Sequence, residues 1–198
     1  MGRYLTVPLG KPFIIDPAEL TASGERTLRR VAALAATTMP PEQFLTALGT
    51  AVEIHVSRII GYLVDLSDVD ASQFGRELLA VVEGDLTRTW NDRHAWLNRG
   101  FAVQVAGNKP GQRFDTVIEA RNSVVHGDGF LSDHQSARSL KQITDLRARY
   151  LKELDIGLVA GRLDFSLAST ALAHEAARRY VAYLDKEVLA NYPAIRRC

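Results

Sequence analysis

The residues best suited to chemistry lie in one short segment, Glu119-Ala120-Arg121-Asn122-Ser123-Val124-Val125-His126-Gly127-Asp128. Histidine is the side chain that exchanges a proton near neutral pH, and arginine offers a planar, permanently charged fork that fits phosphate. Together they can move a proton and neutralise charge in a phosphoryl transition state. Asn122 and His126 are four residues apart and share a helix face, so the amide can hydrogen-bond the imidazole and fix its tautomer. Arg121 stands about 140° round an ideal helix from His126, too far to share its stripe. A long arginine must reach around, or a second copy of the segment must supply it. The plain alternative is a surface helix end in which Arg121 pairs with Glu119 or Asp128 and His126 caps carbonyls.

Arg121 and His126, separated by four residues with a polar residue directly after the arginine, resemble the motif of the HEPN superfamily. A second Arg-His pair, Arg88 and His94, has the right spacing but neither the flanking Asn nor the Gly. The resemblance implies an all-α helical bundle with the motif near the end of its third main helix. It also implies a metal-independent endoribonuclease, a toxin or defence effector, in which an RNA 2′-hydroxyl attacks the neighbouring phosphate. Arg121, Asn122 and His126 would be its catalytic residues, with no cofactor and no metal. In that family the motif helices pair across a two-fold axis, so the expected partners are RNA, a second copy forming a composite site, and an antitoxin or other regulatory protein. HEPN toxins controlled by a nucleotidyltransferase often carry a tyrosine two residues after the histidine, where this chain has Asp128. A rival reading is a non-catalytic HEPN-like module that binds a nucleotidyltransferase, a nucleotide or a regulatory partner.

Other polar candidates are less specific. Lys109 and Arg113 flank Pro110-Gly111 and could grip phosphate, although an exposed solubilising loop explains them as well. Trp90 and Trp96 stand near several arginines, yet aromatic residues at helical spacing are usually core. His55 and His174 lie within apolar helices and read as satisfied histidines. The five histidines form no two-His helical pair, and the single cysteine, Cys198, cannot complete a zinc site.

The elements that must position the segment follow from periodicity. Residues 1–40 read as an N-terminal arm with a short helix over 27–36, ended by Pro40-Pro41, and residues 41–198 as the HEPN-like domain. Phe44, Leu48, Val52, Val56, Ile59 and Leu63 predict the first long helix. Phe74, Leu78, Val81, Val82, Leu86, Trp90 and Leu97 predict a second over 71–98. Residues 107–111 form a loop, and a third helix then runs through Phe114, Val117, Ile118, Val124 and Val125 to a stop at Gly127 and Gly129. A fourth spans 136–154 with Leu140, Ile143, Tyr150 and Leu154 inward, and a fifth spans 167–190; residues 158–165 fit neither template. Long helices with short links make a bundle, read as a HEPN-like one of four long helices plus a short N-terminal helix.

The totals suit this. With 198 residues, 46% of them hydrophobic, the chain fills one core, and a net charge of +1 means that any RNA contact must be local. No uninterrupted apolar stretch opens the chain, and Glu53, His55 and Arg58 interrupt the most apolar window, residues 44–66. A cytoplasmic protein without a membrane span is the expectation.

Overall fold

A computed structural model describes residues 13–105 and 107–197; the start of the expected arm, residues 1–12, lies outside them. The described chain is mostly helical: α1 (Ala22–Ala35), α2 (Pro41–Leu66), α3 (Gln73–Leu86), α4 (Trp90–Ala95), α5 (Lys109–Gly127), α6 (Asp133–Ser136), α7 (Leu140–Leu154) and α8 (Ser169–Asn191). The exception is an antiparallel hairpin, β1 (Ile156–Val159) with β2 (Arg162–Phe165), Ile156 opposite Phe165.

α5 is the axis of the fold, packed against α2, α8 and α7. Its inward face carries Phe114, Val117 and Ala120, and Phe114 stacks on Tyr180 of α8 with ring centroids 4.7 Å apart. α2 supplies Leu48, Val52, Val56, Ile59 and Leu63, all fully buried, as its apolar spacing requires. By length and hydropathy α2 could cross a membrane, and half of its most apolar window is buried in this fold. α1 packs on both α2 and α8, and its N-cap Thr21 accepts a hydrogen bond from Gly24 N. That cap starts the helix at Ala22, five residues before the expected 27, because threonine satisfies an otherwise orphan N–H there.

Local capping explains the other differences from the sequence reading. The helix expected over 71–98 is interrupted: Thr89 and Asp92 form a capping box that starts α4, and a π-helical turn, Trp96–Gly100, follows it. The interruption swings α3 outward, so Phe74 and Val81, each 79% exposed, leave the stripe while Leu86 and Leu97 stay in the core. The helix expected over 136–154 starts later, at Leu140, where Ser139 and Gln142 form a capping box; Ser132 and Gln135 form another that starts the short α6, which ends at Ser136. Leu140 becomes the exposed first residue of α7, and Leu146 takes its place inside. α5 begins at Lys109, within the expected loop, because Asn108 caps it and Pro110 is tolerated in a first turn. The unassigned 158–165 stretch is the hairpin, turned by Ala160 and Gly161, both at positive φ.

Candidate active-site cleft along helix α5

The motif occupies the last two turns of α5. The helix ends at Gly127; Asp128 follows in the left-handed region at φ 50°, and Gly129 at φ 85°. Gly129 N donates to Ser123 O at 3.1 Å, closing the helix end. The strand-like segment beyond it is held by the hairpin: Leu131 N donates to Gly161 O at 2.9 Å and Leu163 N to Gly129 O at 2.8 Å. The hairpin therefore fixes where the chain leaves His126.

A cleft of about 600 Å³ runs along this part of α5, closed on one side by the start of α4 and on another by α6. Asp115, Ile118, Glu119, Asn122 and His126 line it from α5, and His134 and Arg138 from the α6 region. Positions 115, 122 and 126 differ by seven and four residues, so they follow one another along a single helix stripe. His126 is exposed at its end. His134, which the sequence could bring near His126 only through the fold of an intervening loop, lines the same cleft.

Arg121 leans the other way, toward α2. Its Nη1 donates to Asn122 Oδ1 at 3.2 Å, and its Nη2 lies 3.9 Å from Glu53 Oε2. Glu53 is held more closely by Arg93, at 2.8 Å, and Arg93 also donates to Ser57 Oγ at 3.2 Å. The Nε of Arg121 is buried and makes no hydrogen bond among the described residues. Asn122 thus holds Arg121 and not His126, the bond expected from the four-residue spacing. Neither carboxylate of the plain alternative reaches Arg121, since Glu119 is taken by Arg138 at 2.8 Å and by Gln135 Nε2 at 2.8 Å.

The cleft stands on a buried polar network. Ser123 Oγ donates to Gln135 Oε1 at 2.8 Å, which also accepts from Ser132 N at 2.9 Å, and Gln135 Nε2 donates to Glu119 O at 2.9 Å. The Tyr150 hydroxyl lies 3.3 Å from both Ser123 Oγ and Gln135 Nε2, and burial raises it well above the usual phenol range. Such a satisfied network fixes α5, α6 and α7 in one arrangement.

At the opposite end, Trp90 Nε1 donates to Asp115 Oδ1 at 3.0 Å, and His94 Nδ1 lies 3.8 Å from the same oxygen. His94 Nε2 lies 2.9 Å from the Tyr180 hydroxyl. Burial holds His94 below the usual imidazole range in spite of Asp115, and burial pushes Asp115 up. Asp115 was not singled out from the sequence, yet its spacing to Asn122 and His126 carried the signal. The second Arg-His pair does not come together: Arg88 pairs with Asp85 at 2.9 Å on the surface, whereas His94 is buried.

Of the two residues considered for phosphate contact, Lys109 is exposed at the start of α5. Arg113 turns toward the end of α7: its Nη2 donates to Glu153 O at 3.3 Å and its Nε lies 3.5 Å from the Glu153 carboxylate. His55 is buried in the core, with Ser23 Oγ 3.0 Å from Nδ1 and Asp185 Oδ1 3.0 Å from Nε2, the second contact lacking hydrogen-bond geometry, so the ring is only partly satisfied. These three residues have the composition of a hydrolase triad, but all are fully buried and serve packing. Among the described residues no three His, Cys, Asp or Glu side chains gather as metal ligands would.

Comparison of the chain with protein-family models, with curated proteins and with solved structures finds no match.

Proposed function

We propose that this chain is a HEPN-type, metal-independent endoribonuclease that works as a homodimer in a toxin or defence setting. The observation that carries the reading is the grouping of the motif: Asn122 lines the cleft that His126 enters, and its side chain holds Arg121 at 3.2 Å. A proton-exchanging ring and a guanidinium are thereby tied to one helix end beside a space large enough for a nucleotide.

In the reaction, the RNA 2′-oxygen attacks the adjacent phosphorus and the bond to the 5′-oxygen breaks. The proton lost from the 2′-hydroxyl passes to solvent water, and protonated His126 delivers a proton to the departing 5′-oxygen and is reprotonated from solvent. Arg121 neutralises charge gathering on the phosphate. Because Arg121 leans toward α2 while His126 opens into the cleft, pairing two copies about a two-fold axis would let one copy's Arg121 serve the other copy's His126.

The test uses the purified chain on single-stranded RNA. Cleavage should persist in excess EDTA and leave a 2′,3′-cyclic phosphate and a 5′-hydroxyl. It should fail on DNA and on RNA methylated at the 2′-oxygen of the cut site, since both lack the attacking group. Arg121→Ala and His126→Ala should each cost on the order of 10² or more in rate, with Arg88→Ala as an unaffected control. Loss of cleavage in EDTA, or equal cutting of DNA, refutes the mechanism. Absence of cutting under any condition makes the binding-module reading the better one.

A further inference from the structure

The cleft is longer than the motif needs. His126 lies eleven positions after Asp115 on α5, about 16 Å on an ideal helix, and both belong to one stripe. The Asp115 end differs in character from the His126 end. Its carboxylate is only 34% exposed, and among the described residues it accepts one hydrogen bond, from the Trp90 indole to Oδ1. It is braced from behind, since Trp90 packs edge-on against His94 at 5.1 Å and His94 is held by Tyr180 in the core. Glu119, its neighbour on the stripe, is neutralised by Arg138. Asp115 has no arginine or lysine within ion-pair distance among the described residues; burial raises its titration, and Arg149, which lines the same cleft, acts on it only from longer range.

A rigid, half-buried carboxylate with unused lone pairs repels phosphate and attracts a neutral group rich in N–H donors. Within an RNA strand that group is a nucleobase edge. Guanine alone presents two adjacent donors, N1–H and the N2 amino group, to match the two oxygens of a carboxylate. Adenine and cytosine set a donor beside an acceptor on this edge, and uracil sets a donor between acceptors. Asn91 lines the same end of the cleft, and its amide NH2 can take the remaining guanine carbonyl.

We infer that the Asp115 end of the cleft is a guanine-reading subsite, in which Asp115 accepts from the base and Trp90 holds the carboxylate in place. The inference rests on the proposed RNA-cleaving role of the same cleft. It makes the enzyme cut at a fixed distance of a few nucleotides from a guanine, since the subsite and His126 are about 16 Å apart.

Two measurements test it, one independent of cleavage. Trp90 touches Asp115, so a Trp96→Phe chain carries a single indole reporter at the subsite. Titrating its fluorescence with guanosine, adenosine, cytidine and uridine should show guanosine binding about tenfold or more tighter than the others. Asp115→Asn should abolish that preference while keeping its circular dichroism and melting temperature. Equal binding of the four nucleosides, or of none, overturns the inference, as does an unchanged preference in Asp115→Asn. Displacement of all four alike by spermidine would mark a mere cation site and overturns it too. The second measurement maps ends after cleavage of a random-sequence RNA pool, where a guanine should be enriched at one fixed offset and lose its enrichment in Asp115→Asn. Guanosine selectivity without RNA cleavage would sink the nuclease reading and leave the subsite standing. Cleavage with no fixed guanine and no nucleoside selectivity would do the reverse.

Discussion

Asp185→Ala tests how the N-terminal helix is fastened to the body. The Asp185 carboxylate is fully buried between α1, α2 and α8. Its Oδ2 accepts from Thr21 N at 2.8 Å and Thr21 Oγ1 at 3.0 Å, and its Oδ1 stands 3.0 Å from His55 Nε2. At that distance Oδ1 is an ion-pair partner, yet it forms no directed hydrogen bond with the ring. The fit is close enough that a methyl group on Gly24 would collide with Oδ2. Alanine leaves the two Thr21 donors without their acceptor and removes the carboxylate beside the His55 ring, in a site closed to water. Breaking a buried pair in this way costs about 3–5 kcal/mol. In a chain of this size each kcal/mol lowers Tm by about 2–4 °C, so a loss of about 6–20 °C is expected from circular dichroism at 222 nm. Asp185→Asn keeps an oxygen for Thr21 and should lose about half as much. A drop of less than about 3 °C for the alanine variant would show that α1 is held by its apolar contacts and that the buried triad contributes little.

Asn122→Ala should reduce cleavage without abolishing it, because Arg121 loses one hydrogen bond but keeps Glu53 nearby; a loss as large as that of Arg121→Ala would mean that Asn122 itself touches the reacting atoms. Stability should also fall as the pH drops from 7 to 5. Burial depresses His94 in the folded state, so the unfolded chain binds the extra proton first, from about pH 6.5 downward. Asp115, raised by burial, has the opposite sign and offsets part of the loss as the pH falls through its folded-state range. Urea midpoints of wild type and His94→Gln should converge as the pH falls, and parallel curves would remove His94 as the cause.

Much of this was legible in the sequence, and the misses share a cause. The apolar spacing of α2 and α8 and the glycine stop after His126 marked elements whose signals repeat over many turns. Thr89 with Asp92 and Ser139 with Gln142 are single local events, and each overrode a stripe that continued through it. An apolar period says that a face exists, not that anything covers it, which is why Phe74 and Val81 could satisfy the spacing and still face solvent. For the site, spacing put Asn122 on the stripe of His126 and so suggested a bond between them. The competing acceptor demand of Arg121, one residue away, depends on where α2 lies and was invisible in the local pattern.

That demand bears on how the site could take a phosphate. Two arginines face the single Glu53 carboxylate, and they hold it unequally. Arg93 is buried, engages Glu53 at 2.8 Å and Ser57 at 3.2 Å, and gains little from another anion. Arg121 stands 3.9 Å from Glu53, bonds one neutral amide oxygen and keeps a buried Nε with no acceptor. An arriving phosphate would satisfy the guanidinium more fully than its present partners do, and Glu53 would remain neutralised by Arg93 when Arg121 moved away. On the proposed reading Arg121 would be the mobile charge, and Glu53 would keep that charge at α2 until an anion competes for it.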